Sequence, residues 1–248
     1  MPFRLYRAPV ATVSEVSYDG ACGLCHRGAS VLFGLRLKDY IIRPCVACDA
    51  PLGLRLGWWD KPPVPTGCLK CGTSNPWPAE LPRDPLRVCY DCIQSGQVAI
   101  GHETPLGSID FAQTLRGMLW LGSKERADEE GLRTTVVKND GTLPFGSHWT
   151  GVHLPTELLL EMHRTPRYSA LQREYWPFHC GGFMAFVGRW QQEDFERISR
   201  GNGLAWFTEY GANGIGEDEW DWLPSGIGWS YVHKCLKCGV HRVFVDSD

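Results

Sequence analysis

Ten of the 11 cysteines in this 248-residue chain occur as five Cys-x-x-Cys pairs. This spacing directs two thiolates toward one centre, and two such pairs supply the four ligands of a tetrahedral zinc site. Four of the pairs lie within the first 92 residues, which predicts a fold built around metal ions. The pairs are Cys22/Cys25, Cys45/Cys48, Cys68/Cys71, Cys89/Cys92 and Cys235/Cys238.

The first four pairs are evenly spaced along the chain, with 19, 19 and 17 residues between successive pairs. The first pair can therefore combine with the second, and the third with the fourth, as two similar zinc-ribbon modules. A cross-braced arrangement, in which the first pair joins the third and the second joins the fourth, has the same counts. We favour the sequential pairing because it closes shorter loops.

Cys180 stands outside the pairs and predicts a third metal site together with the fifth pair. Three thiolates leave a tetrahedral site one ligand short. The candidates for the fourth ligand are His179, His233 and His241. We include His179 in the predicted set and leave the other two open. A catalytic zinc with an open coordination position at these three cysteines is the enzymatic alternative.

Structural zinc is the chemistry that the pairs favour, with two to three Zn²⁺ ions in the chain. The start of the chain has no signal-peptide pattern, and 11 cysteines then indicate a reducing compartment rather than structural disulfides. Iron–sulfur clusters use more compressed cysteine spacings. A thioredoxin-like role needs a pair at a helix start within a βαβ unit, and no pair has an obvious context of that kind.

Composition narrows the classes of partner. A net charge of −3 and a pI of about 6.2 argue against a dedicated nucleic-acid binder, which usually carries a basic excess. A nucleic-acid-binding zinc ribbon, in which Trp or Tyr faces stack on bases, stays an alternative. No apolar run of about 18 residues occurs, so we expect no membrane span and a cytoplasmic location.

Short elements must position these ligands, and their pattern predicts an α+β fold in which small zinc modules pack with an α+β C-terminal domain. The predicted domains are residues 1–63, 64–105 and 106–248. We expect the first two to be zinc-knuckle modules and the third to carry a third zinc site. The predicted helices cover residues 109–121, 155–164 and 190–200, and a predicted hairpin over 231–245 surrounds the fifth pair.

Several short motifs in the second half resemble the CbrC family of small bacterial proteins. The resemblance covers about residues 64–248 and implies that residues 1–63 are an added zinc module. It also implies a second cysteine shortly after Cys180, where this chain has Met184. The matching segments are Arg164-Thr165-Pro166, Tyr168-Ser169, Glu174-Tyr175-Trp176, His179-Cys180 and Cys235-Leu236-Lys237-Cys238-Gly239.

The resemblance implies an association with tolerance to colicin, a secreted bacterial toxin. One stretch of the chain places four acids around two tryptophans: Glu217, Asp218, Glu219, Trp220, Asp221 and Trp222. Acidic surfaces with aromatic anchors are common in proteins that neutralise nucleases and similar toxins. We therefore predict a non-enzymatic zinc protein that binds a protein toxin and neutralises it by occlusion. The alternative interpretation of the stretch is a solvated acidic loop with buried tryptophans.

Overall fold

The computed structural model describes residues 3–36, 39–56, 67, 68, 70–74, 86–138, 148–212 and 215–247, and the statements below concern these residues. The chain divides into two compact units. Both strands and helices are present, so the predicted α+β class is confirmed. The first unit consists of Val13–His102 and Leu106–Arg167, and the second of Pro2–Thr12, Glu103–Pro105 and Tyr168–Asp248.

Short strands and helices alternate along the described chain. The strands are β1 (Val16–Ala21), β2 (Gly28–Gly34), β3 (Tyr40–Pro44), β4 (Pro51–Arg55), β5 (Arg87–Cys89), β6 (Val98–Ala99), β7 (His102–Thr104), β8 (Gly107–Ile109), β9 (Met118–Leu119), β10 (Thr134–Lys138), β11 (His148–His153), β12 (Phe178–His179), β13 (Gly182–Phe183), β14 (Ala185–Trp190), β15 (Gly228–Lys234) and β16 (His241–Ser247). The α-helices are α1 (Tyr90–Gln94), α2 (Phe111–Thr114), α3 (Lys124–Glu129), α4 (Thr156–His163), α5 (Gln192–Ser199), α6 (Gly203–Tyr210) and α7 (Glu217–Ser225).

Three three-stranded antiparallel sheets, in the orders β1-β2-β5, β4-β3-β6 and β10-β11-β9, lie in the described part of the first unit. The β1–β2 hairpin pairs Val16 with Phe33, and the β3–β4 hairpin pairs Tyr40 with Arg55. Phe33, Tyr40 and Leu54 are buried, so each hairpin contributes apolar side chains to the core. The turn of each hairpin carries one Cys-x-x-Cys pair.

Helix α4 confirms the helix predicted over residues 155–164. Pro155 occupies its N-cap position, where a missing N–H costs no intrahelical hydrogen bond. Leu159 and Met162 are fully buried on one face. Pro166 follows the helix and prevents its continuation.

Buried polar groups of the first unit are paired with one another. The His163 ring lies with Nδ1 2.9 Å from the Ile100 carbonyl oxygen and Nε2 2.9 Å from Thr114 Oγ1. Nδ1–H therefore donates to the carbonyl, and Nε2 accepts from the hydroxyl. The fully buried Asp39 carboxylate accepts from both terminal guanidinium nitrogens of Arg167. These contacts fasten segments that are far apart in the sequence.

The helix predicted over residues 109–121 is mostly wrong, because only α2 (Phe111–Thr114) is helical there. The Asp110 carboxylate caps its first turn. Gly117, at a φ of 66°, then reverses the chain into β9, which pairs with β11. The apolar spacing matched a helix, but a glycine in the left-handed region ends one.

The second unit is built on one antiparallel sheet of order β14-β15-β16, and its β15–β16 hairpin confirms the one predicted around the fifth pair. Helix α5 likewise confirms the helix predicted over residues 190–200. Helices α5, α6 and α7 contribute Phe195, Phe207 and Leu223 to a core shared with Val232 and Val243 of the sheet.

Aromatic rings, among them those of Phe186 and Trp176, pack around one histidine of this sheet, and we call them the aromatic layer. His233 of β15 is fully buried, with its ring centroid 5.4 Å from that of Phe186 and 5.7 Å from that of Trp176. Burial lowers the pKa of His233 to about 3, against a smaller raising effect of the Tyr231 backbone. Within the described residues neither ring nitrogen has a hydrogen bond of good geometry. His233 is thus a neutral part of the aromatic layer.

Candidate metal centres

The first tetrad consists of Cys22, Cys25, Cys89 and Cys92. The Sγ atoms of Cys22 and Cys92 are 3.7 Å apart, and those of Cys25 and Cys89 are 3.8 Å apart. Three of the four cysteines are buried. The backbone N–H of Cys89 also donates to Cys22 Sγ over 3.3 Å, which orients that sulfur toward the centre.

The second tetrad consists of Cys45, Cys48, Cys68 and Cys71. The Sγ–Sγ distances are 3.6 Å both between Cys45 and Cys71 and between Cys48 and Cys68. Cys45 and Cys68 are buried with Leu52 and Leu54 of β4, whereas Cys71 is exposed. The apolar contacts hold two of the sulfurs in place from one side.

The third tetrad consists of His179, Cys180, Cys235 and Cys238. His179 Nδ1 lies 3.5 Å from Cys238 Sγ, and the four ligand atoms all lie within 4.8 Å of one another. His179 is thus the histidine that the structure brings to these cysteines.

The other fourth-ligand candidates lie elsewhere. His233 is enclosed in the aromatic layer, and His241 lies 5.2 Å from the Trp206 ring. Met184 is fully buried and is not a member of the tetrad. Four protein donors leave no open coordination position, which removes the geometric support for a catalytic zinc at Cys180 and the fifth pair.

Five distances between ligand atoms test whether these tetrads fit a metal ion. A tetrahedral ion with metal–sulfur bonds of about 2.3 Å separates its sulfurs by about 3.8 Å, and a nitrogen and a sulfur by about 3.6 Å. The measured distances of 3.6–3.8 Å and 3.5 Å match these values. A disulfide would require about 2.05 Å. All 11 cysteines are free, so the donor sets fit tetrahedral coordination.

The grouping of the pairs is nested, and the favoured sequential pairing is wrong. The first pair joins the fourth, and the second joins the third, so the cross-braced alternative is also wrong. Strand pairing decides the grouping. β5 lies beside β2 with Leu32 opposite Cys89, and the Gly23 N–H donates to the Arg87 carbonyl over 2.8 Å. The sheet thereby carries the fourth pair to the β1–β2 turn.

This grouping bears on the predicted modules at residues 1–63 and 64–105. Each tetrad of the first unit draws one pair from either side of residue 63, so neither module holds a complete ligand set. The predicted boundary between residues 63 and 64 lies outside the described residues. The domain boundaries themselves stay a prediction.

Four of the five pairs share one turn, which we call the knuckle. In it, the N–H of the first cysteine donates to the carbonyl five residues later, and the carbonyl of that cysteine accepts from the residue after the second cysteine. That last residue has a positive φ of 56–80° in all four: His26, Asp49, Gly72 and Gly239. Histidine, aspartate and glycine are the residue types that tolerate this backbone region.

The fourth pair is different, because Cys89 is the N-cap of helix α1 and Cys92 lies inside that helix. A pair at a helix start after a strand is also the local setting of a thioredoxin-like site. Here, however, both sulfurs face the first pair, at 3.7 and 3.8 Å. Ile93 follows the second cysteine, and this β-branched residue already distinguishes the pair from the knuckles in the sequence.

Local hydrogen bonds lower the pKa of some of these thiols. Bonds with the backbone and side chain of Arg27 lower the pKa of Cys25 to about 6. Bonds with the side chain and backbone of Thr73 lower the pKa of Cys71 to about 6. Burial, followed by the neighbouring thiols, raises the pKa of Cys92. Four thiolates so close together therefore need a cation to stay ionised together.

Helix α7 contains all six residues that we predicted to bind a partner: Glu217, Asp218, Glu219, Trp220, Asp221 and Trp222. The Trp220 ring packs into the core, 5.4 Å from Phe207 and 5.8 Å from Phe195. The Glu219 carboxylate accepts from the N–H of Gly216 over 2.8 Å. Trp220 and Glu219 thus serve the fold.

The remaining acids of α7 face solvent. Glu217, Asp218 and Asp221 are exposed, and Trp222 is half-buried. The first turn of a helix carries a partial positive charge, so two of these acids also stabilise the helix. We call these three acids the α7 acidic face. Its role in binding a partner stays a prediction.

None of the described helices is long and apolar enough to cross a membrane.

Comparison with known proteins places the chain in a family. No solved structure matches the chain significantly. The sequence matches the uncharacterised protein family UPF0167 over residues 66–247, which includes three of the five cysteine pairs and Cys180. The chain therefore belongs to UPF0167, which is the CbrC family.

Proposed function

We propose that this chain is a zinc-stabilised, non-enzymatic protein of the cytoplasm that binds a protein toxin and neutralises it by occlusion. Zinc suits the three donor sets because thiolate and imidazole ligands in tetrahedral geometry are its usual structural environment. Each set supplies four protein donors, as a structural site does. Metal here would hold loops in place rather than act on a substrate.

The observation that carries the binding proposal is the α7 acidic face. Glu217, Asp218 and Asp221 project from one short helix, and Trp220 and Leu223 of the same helix pack into the core. A rigid negative surface accelerates association with a basic partner and fixes its orientation. The family resemblance, with its association with colicin tolerance, suggests that the partner is a toxin domain. Half-buried Trp222 beside the acids adds an apolar side chain to this surface.

A charge-reversal experiment tests this proposal. Colicin-sensitive bacteria producing the protein would be challenged with a panel of colicins, and the purified protein would be titrated with each toxin's purified cytotoxic domain. We expect protection against at least one colicin, and we expect the E217K/D218K/D221K variant to lose both protection and binding. E125K/D128K/E129K, which reverses three exposed acids of α3, should behave as the wild type.

Salt dependence adds a second criterion. Because the proposed contact is electrostatic, the association rate should fall as ionic strength rises. Equal protection by the α7 variant and the wild type would refute the role of the acidic face. Absence of protection and of binding across the panel would refute toxin neutralisation.

A further inference from the structure

The three tetrads differ in how many of their cysteines are exposed. In the first tetrad no cysteine is exposed, and in the second only Cys71 is exposed. In the third tetrad both Cys180 and Cys238 are exposed, while Cys235 is buried. Two exposed cysteines are thus found together in one of the three tetrads.

The backbone explains this exposure. Cys180 and Gly181 are the two loop residues of the β12–β13 hairpin, and both have positive φ, 52° and 71°. This is the type I′ turn that the twist of a hairpin favours. Cys238 lies on the knuckle between β15 and β16. Both sulfurs therefore come from loop tips rather than from packed elements.

A lysine side chain links the two loops that carry these cysteines. Lys237 Nζ donates to the Cys180 carbonyl oxygen over 2.7 Å, and this lysine directly precedes Cys238. The two ligand sulfurs also lie within 4.8 Å of each other, so joining them requires only a small movement.

From these observations we propose that the third tetrad is an oxidation site, at which peroxide oxidises Cys180 and Cys238 to a disulfide. The disulfide removes two of the four metal-binding donors. The Cys238 thiolate attacks one peroxide oxygen, forming a sulfenic acid and releasing hydroxide. The Cys180 thiolate then attacks the Cys238 sulfur, forming the S–S bond and releasing a second hydroxide. Peroxide accepts two electrons, and the two thiolates lose two.

Loss of the metal follows from the loss of donors. The disulfide leaves His179 and Cys235 as two of the original four ligands, too few to hold a tetrahedral ion. The first and second tetrads keep their donors, so their ions should remain bound. This inference rests on the proposed zinc in the third tetrad and goes beyond toxin binding.

The test uses the full-length, zinc-loaded protein treated with a small excess of hydrogen peroxide. Native mass spectrometry would count bound ions, a chelating dye would follow release, and peptide mapping would locate disulfides. We expect release of one ion per chain together with a Cys180–Cys238 cross-link, and we expect a thiol reductant with added zinc to reverse both. Release from all sites together, or a cross-link between Cys235 and Cys238, would overturn the proposal.

Two matched variants test whether Cys180 is required for the peroxide-driven release of the ion. C180H keeps four donors in the third tetrad, and histidine tolerates a positive φ. We expect C180H to retain its ion and release it at least about tenfold more slowly than the wild type. C71H makes the same exchange at the exposed cysteine of the second tetrad. It should leave the peroxide-driven release of the third-tetrad ion unchanged. Equal release rates from C180H and the wild type would contradict the proposal.

If C180H does not bind a third ion, the proposal is tested by the wild type alone, through the position of the cross-link that peroxide forms in it. A wild-type protein that holds fewer than three ions before oxidation would instead count against the proposed zinc sites. The ion count and the disulfide map therefore separate failure of the oxidation site from failure of the metal assignment.

Discussion

The residue after the second cysteine distinguishes the five pairs more finely than the spacing does. His26, Asp49, Gly72 and Gly239 all accept the positive φ that closes a knuckle, whereas Ile93 follows the pair in helix α1. The cysteine pairs that form the tetrads could be recognised in the sequence, because a Cys-x-x-Cys turn is formed by local hydrogen bonds. This second signal was also present in the sequence, and it predicts which pairs form knuckles.

Buried histidine gives a residue-scale prediction about acid stability. Burial lowers the pKa of His163 to about 3, so the folded protein holds a neutral ring that the unfolded chain protonates near pH 6.5. Between these values the unfolded state binds the extra proton, and stability falls as pH falls. We expect His163 to contribute a slope of about 1.4 kcal/mol per pH unit in this window.

The variant H163N tests this slope, since an amide nitrogen can still donate to the Ile100 carbonyl. Urea unfolding at several pH values should show a smaller loss of stability per pH unit in H163N between about pH 6 and pH 4. Above pH 7 the two proteins should share one slope, because the ring is neutral in both states. Parallel slopes at every pH would show that His163 does not titrate as its burial requires.

At the scale of elements, prediction succeeded where a sequence pattern was local and complete. Helix α4 has a proline at its start, an apolar face and a proline after its end. The 109–121 segment carried the same apolar spacing, but Gly117 turned the chain and tertiary pairing with β11 made Met118–Leu119 a strand. Strand partners far away in the sequence leave no such local pattern.

Helix α5 offers an element-scale prediction with a built-in control. Phe195 is fully buried against the Trp206, Phe207 and Trp220 rings, whereas Ile198 on the same helix is 51% exposed. We expect F195A to lower the free energy of unfolding by about 3–5 kcal/mol. I198A should change it by less than about 0.5 kcal/mol. Comparable losses in chemical denaturation would mean that α5 does not pack on the sheet as described.

At the scale of the whole molecule, the nested grouping links the added and the matched parts of the chain. The family match begins at residue 66, yet each tetrad in the first unit takes two cysteines from before that point. Loop length alone favoured neighbouring pairs, and the pairing of β2 with β5 overrode it. The N-terminal segment therefore supplies two of the four cysteines in each tetrad of the first unit.

The nested grouping also determines how metal content responds to paired substitutions. Cys22 and Cys89 belong to one tetrad, whereas Cys22 and Cys45 belong to two. Removing two ligands of one site should cost one ion, and removing one ligand from each of two sites should cost two.

Zinc per chain, measured by elemental analysis and native mass spectrometry on reduced protein, is the most direct test. We predict three zinc ions in the wild type, one for each tetrad. C22S/C89S should lose one ion, and C22S/C45S should lose two. Loss of two ions from C22S/C89S, or wild-type protein purified with disulfides or iron in place of zinc, would contradict the nested zinc centres.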